Sequence, residues 1–237
     1  MSKKKKLIAI ISTSVALLLV VAFALIYFLA ILPPIREKRA HEQAVKEYFE
    51  YKMNQYVQEN SFYQDGEVDV CFLGDSLTDG YDLDKYYPQF LTVNRGIGGD
   101  TTTRLLDRLQ VSIYDLQPKI AVVLIGGNNL NTMFNDYELI IKGIKQNAPN
   151  TKIVLLSLTA MGKEYKEKNA IATLNNVRIQ NVAKENGCHY VDLFSSLYDF
   201  NTCELYADYT VDGAHLNDKG YVVLTSLVTP VLSQLLA

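Results

Sequence analysis

"VDVCFLGDSLTDG", residues 68–80, begins as a mostly apolar, β-branched run and breaks at Gly74-Asp75-Ser76. A run of this length without strict polar alternation is what a strand covered on both faces requires. Four further runs follow: "LTVN" (91–94), "IAVVLI" (120–125), "KIVLLSL" (152–158) and "HYVDL" (189–193). Helical patterns lie between and after them, near 101–116, 135–148, 166–186 and 217–236. Strand–helix alternation of this kind builds parallel βαβ units, so the expected class is α/β, with helices on both sides of a parallel sheet.

In an open sheet of this type, sites form outside the carboxyl ends of the strands. "GDS" follows the first run, "NRGIGGDTT" (94–102) the second and "GGNN" (126–129) the third. Ser76 is a nucleophile candidate, or with Asp75 a cap for a helix beginning near Leu77. The Gly-x-Ser-x-Gly elbow is absent, because Thr78 stands two residues after Ser76. A serine nucleophile needs a base, and the chain has three histidines. His41 lies near the N-terminal apolar stretch, and His189 opens a strand, where it is expected to pack. His215 remains, in "YTVDGAHLND" (209–218), three residues after Asp212. In a turn, that spacing lets the carboxylate accept from Nδ1–H and leaves Nε2 for the serine. Donors for a developing oxyanion are available from the Gly98-Gly99 backbone and from Asn128 or Asn129, and Asp100 or Thr101 can cap the next helix.

Taken together, "GDSLTDG", "NRGIGGDTT", "GGNN" and "DGAHLN" resemble the four ordered blocks of the SGNH, or GDSL-type, serine hydrolases. The resemblance covers about residue 68 to the C-terminus. Within the family, "GIGGDTT" is most similar to the platelet-activating-factor acetylhydrolase-like and lysophospholipase-like branch. The resemblance implies a three-layer α/β/α domain with a parallel, roughly five-stranded flavodoxin-like sheet. It makes Ser76 the nucleophile, His215 the base and Asp212 its orienting acid. The oxyanion donors it implies are the Ser76 and Gly99 N–H groups and the Asn128 side chain. Many relatives have Asp where this chain has Asn129, a departure that leaves the Asn128 amide intact. No cofactor is implied. The His, Cys and acidic residues do not cluster at ligand spacing, so no metal is expected either.

Residues 7–32 carry no charge and exceed the roughly 20 apolar residues needed to span a bilayer, so they read as a transmembrane signal-anchor. A cleaved secretory signal is the alternative, but the apolar run continues well past "AFA" (22–24). Lys3 to Lys6 precede the span and favour a cytoplasmic N-terminus (residues 1–6), with the remainder outside. Residues 33–67 read as a helical stalk and 68–237 as the hydrolase domain. The stalk's Val45, Tyr48, Phe49, Tyr56 and Val57 lie loosely on one side.

Net charge divides the same way, +6 over residues 1–40 and −9 over the remainder. An acidic outer part excludes nucleic acid as an expected partner. Cys71, Cys188 and Cys203 are an odd set and are expected to be free thiols.

The expected function is therefore a membrane-anchored, extracytoplasmic carboxylic ester hydrolase, acting through an acyl-enzyme on small acyl esters such as O-acetylated carbohydrate. Alternatives are a lysophospholipase-, lipase- or thioesterase-type enzyme and a catalytically silent tethered domain. Tyr81, Tyr86, Tyr87 and Phe90 are candidates for pocket lining or for plain core.

Overall fold

The computed structural model describes residues 19–23, 25 and 27–237, together with Ser2 and Lys4. Of the expected span 7–32, residues 7–18, 24 and 26 lie outside the described residues. The N-terminal apolar helix is long and apolar enough to cross a membrane by length and composition. It leads into helix α1 (Leu32–Asn60). The chain divides into two compact bodies between Tyr51 and Lys52. Residues 52–60 of α1, which the sequence places in the stalk, thus fall in the same body as residues 68–237.

The second body is built on strands β1 (Val70–Gly74), β2 (Thr92–Gly96), β3 (Ile120–Leu124), β4 (Lys152–Leu156) and β5 (His189–Val191). All pairings are parallel, in the order β2-β1-β3-β4-β5. Consecutive residues point to opposite faces. Cys71, Leu73, Ala121, Val123, Ile153 and Leu155 accordingly enter one buried cluster. Val70, Phe72, Ile120, Val122, Leu124, Val154 and Leu156 enter another. Burying each Val, Leu, Ile or Phe side chain among them contributes roughly 1.5–3 kcal/mol, and the double coverage explains why the strands read as continuous apolar runs.

A one-turn helix, α2 (Ser76–Asp79), follows β1, and α3 (Thr102–Asp107) follows β2. Then come α4 (Tyr137–Asn147), α5 (Asn169–Asn186) and α6 (Asp218–Leu236). The single helix expected over 101–116 is instead α3 plus a separate π-turn at Gln110–Tyr114. The break lies at Arg108, whose buried guanidinium turns inward to bond Asp100, Ser112 and two backbone carbonyls. Helix α6 is also apolar enough to pass a membrane-length test, but Tyr221, Leu224, Val228 and Leu232 are buried in the second cluster. It is a core helix.

Tyr81 and Tyr87 pack with Phe72 and Tyr221 in the core, which settles those aromatics as structure rather than pocket lining. His189, expected to pack, is exposed on edge strand β5. The three cysteines are free.

Candidate active site

The strand order reverses direction at β1 and β3, and the residues singled out from the sequence gather at the carboxyl ends of these two strands. Asp75 caps α2 by accepting the Leu77 N–H at 3.1 Å, which sets Ser76 at the first helical position. The turn is tight. A Cβ on Gly74 would lie 2.1 Å from Thr78 Oγ1 and 2.4 Å from the Leu124 carbonyl oxygen, so only glycine fits there.

Ser76 Oγ lies 3.0 Å from His215 Nε2. On the far side of the ring, His215 Nδ1 lies 2.7 Å from Asp212 Oδ2. The other carboxylate oxygen, Oδ1, accepts the N–H groups of His215 at 2.8 Å and Ala214 at 2.9 Å. The turn from 212 to 215 thus orients acid and ring together. Burial alone would raise the Asp212 pKa, but the His215 and Ala214 N–H groups and the imidazole outweigh it and hold the carboxyl well below its ordinary range.

The loop after β2 contributes Gly99, whose φ of +77° is a left-handed conformation that favours glycine. Of the two possible caps for α3, Thr101 is the one used, accepting the Arg104 N–H. Asn128 follows β3 and donates through Nδ2 to the Asp100 carbonyl at 2.8 Å, which ties the two loops together. Its amide keeps a second N–H. Asn129 serves a different purpose: its Oδ1 accepts the Thr102 N–H and its Nδ2 donates to Thr102 Oγ1. An amide can do both, so Asn is chemically apt where many relatives carry Asp.

Ser76, His215 and Asn128 line a cavity of about 150 Å³. Leu124, Ile125, Leu158 and Met161 make its walls apolar, with Tyr165 and Lys168 also lining it. The Lys168 ammonium sits 4.9 Å from the Tyr165 ring centroid. Leu158, Met161, Tyr165 and Lys168 were not singled out from the sequence. The signal was their place after the carboxyl end of β4, the same rule that located the other loops. Among the described residues, no cluster of three His, Cys, Asp or Glu side chains is placed to hold a metal ion.

Asp75 is fully buried beside this site. Burial is the main cause that pushes its pKa up to about 6, the Leu77 N–H opposes it, and the Asp100 charge adds to it. The folded state therefore binds this proton more tightly than the unfolded chain does. Stability from this group is complete below the ordinary carboxylate range and is lost as pH rises to about 6. Asp75→Asn keeps an acceptor for Leu77 and removes that loss. Its melting temperature is expected to exceed that of the parent at pH 8, by an amount equivalent to at most about 3 kcal/mol, and to converge with it at pH 4. Thermal melts at the two pH values check this, and an advantage of equal size at both would contradict the assignment.

A family model, described as the GDSL-like Lipase/Acylhydrolase family, matches residues 72–223. The chain is 29% identical over 194 residues to the platelet-activating factor acetylhydrolase IB subunit alpha2 of Rattus norvegicus, covering 73% of this chain and 80% of that one. Among solved structures, a Streptococcus pneumonia protein described provisionally as a platelet activating factor has a TM-score of 0.69. It shares 26% identity, over 84% of this chain and 99% of its own. An acetylxylan esterase from Geobacillus stearothermophilus shares the fold, with a TM-score of 0.58 at 18% identity over 71% of this chain and 95% of its own. Family match, relatives and fold agree: the chain belongs to the GDSL-like lipase/acylhydrolase family of ester-hydrolysing enzymes.

Proposed function

We propose that this chain is a membrane-anchored, extracytoplasmic serine esterase that removes short acyl groups, acetyl above all, from esters such as O-acetylated carbohydrate. The observation that carries the reading is the pair of contacts through one imidazole, 3.0 Å to Ser76 Oγ and 2.7 Å to Asp212, at the mouth of a small apolar cavity. His215 takes the Ser76 proton as Oγ attacks the ester carbonyl. The Ser76 and Gly99 N–H groups and Asn128 Nδ2 stabilise the oxyanion. The alcohol departs with the proton from His215. A water, deprotonated by the same imidazole, then attacks the acyl-enzyme and releases the acid. Each bond formed at the carbonyl carbon is matched by one broken, and the histidine ends as it began.

Cavity size supports the short-acyl assignment. An engineered apolar cavity of about 150 Å³ holds one benzene, a group far smaller than a lipid chain. The names of two relatives, an acetylhydrolase and an acetylxylan esterase, support it too. The uncharged stretch 7–32 and the basic residues before it support the anchor and its orientation.

The test is kcat/KM of the full chain in detergent on p-nitrophenyl esters of increasing acyl length. A steep fall from acetyl to octanoyl is expected. Rates that climb toward long chains would replace this reading with a lipase-type one.

A further inference from the structure

The sequence assigns the end of α1 to a stalk, yet residues 52–60 hold Arg95 and Gly96 directly, and Gly98 through Asp79, in the strand and loop that lead to Gly99. The Arg95 guanidinium donates to Glu59 at 2.6 Å and to Asn60 Oδ1 at 2.9 Å, and it stacks on the Tyr56 ring. Tyr56 Oη donates to the Gly96 carbonyl. Asp79 forms the last link: its Oδ1 accepts from Lys52 Nζ at 2.9 Å and its Oδ2 accepts the Gly98 N–H at 3.0 Å. The side chains of Lys52 and Asp79 are only 13% and 14% exposed, so the ion pair is screened far less than a surface pair.

Gly98 is a central residue of the turn that presents Gly99. The Asp100 N–H closes that turn on the Ile97 carbonyl at 3.1 Å, with Gly99 at positive φ. A Gly98 N–H fixed by a carboxylate fixes the Ile97–Gly98 peptide plane, the one that leads into the central peptide of this turn. That in turn aims the next N–H, the one assigned to the oxyanion. From this geometry we propose that Lys52, acting through Asp79, is a positioning residue for the oxyanion loop. The proposal rests on the serine-esterase reading above. Lys52 touches no reacting atom. It pairs with one oxygen of the Asp79 carboxylate while the other oxygen accepts the Gly98 N–H.

A donor that acts on the oxyanion is felt in the transition state and not in the substrate complex. Lys52→Met in the full chain is therefore expected to lower kcat on p-nitrophenyl acetate about tenfold or more, with KM changed less than twofold. Lys52→Arg, which restores the charge, should recover most of the loss. Because the effect passes through Asp79, Lys52→Met should cost less than twofold in an Asp79→Asn background. Amide hydrogen exchange at Gly98 should also speed at least tenfold in Lys52→Met, whether or not the protein is turning over ester.

A kcat within twofold of the parent, a loss carried by KM, losses that multiply in the double variant, or unchanged Gly98 exchange would each overturn the proposal. Failure of the underlying reading looks different. Esterase activity of the parent would then survive Ser76→Ala, while Gly98 exchange would still report whether Lys52 holds the loop.

Discussion

Ser76→Ala is expected to lower kcat/KM for p-nitrophenyl acetate by about four to six orders of magnitude, with the fold unchanged. Ser76 stands at the first position of α2, with its Oγ 3.0 Å from the His215 imidazole, and the proposed mechanism gives its backbone N–H to the oxyanion. Alanine keeps that N–H and the helix, whose cap is Asp75, so what disappears is the atom proposed to form the acyl-enzyme. The same variant should not be labelled by a fluorophosphonate, whereas the parent should carry one covalent adduct at residue 76. Thermal melts should superimpose, since the site is open on the side of His215. A variant that retained more than a hundredth of parental activity would remove Ser76 from the mechanism.

The second large effect concerns the acid. Asp212→Asn is expected to cost about 10⁴ in kcat. The Asp212 carboxylate spends one oxygen on the His215 and Ala214 N–H groups and the other on His215 Nδ1. Asparagine can keep its carbonyl toward the two backbone donors, but its amide then presents N–H to Nδ1. The ring proton is driven to Nε2, which would donate to Ser76 Oγ instead of accepting its proton. Nucleophile and geometry remain, and base catalysis is lost.

Because the Asp212 pKa is held below the ordinary carboxylate range, its stability contribution is present above that range and is lost only as pH falls through the lowered value. Asp212 is half exposed, so that contribution is small. Steady-state kinetics of Asp212→Asn from pH 6 to 9 checks the catalytic effect. A variant within tenfold of the parent would show that the imidazole is oriented by other means.

Sheet, strand positions and site loops were legible because their signals are local. Each apolar run is set by double-sided burial, and each loop of interest follows a run directly, as Ser76 follows Gly74 and Asn128 follows Leu124. Likewise Asp212 and His215 lie within one turn, so their pairing depends on three residues of chain. That Ser76 and His215 meet across 139 positions was read from the family's block order, and nothing in either stretch alone encodes it.

The fate of the aromatics could not be read the same way. Tyr81 enters the core rather than the cavity because Tyr221, from a helix far along the chain, stacks on it, and Tyr87 follows by packing on Phe72 and Tyr81. The break in the helix expected over 101–116 is of the same kind. It follows from an inward Arg108 that bonds Gly74, Arg95 and Asp100, partners that no helical period records.

What the sequence by itself determined was the parallel α/β class, the family and which residues to propose for the reactive group. The periodicity of burial and the chemistry of short loops are written over a few neighbouring positions. Only the tertiary structure decided the size of the cavity, the use of Asn129 to hold α3, and the grip of Glu59 on Arg95, of Tyr56 on the Gly96 carbonyl and of Lys52, through Asp79, on the Gly98 N–H. Those features join side chains separated by tens of residues. Their distances are fixed by how the helices pack on the two faces of the sheet.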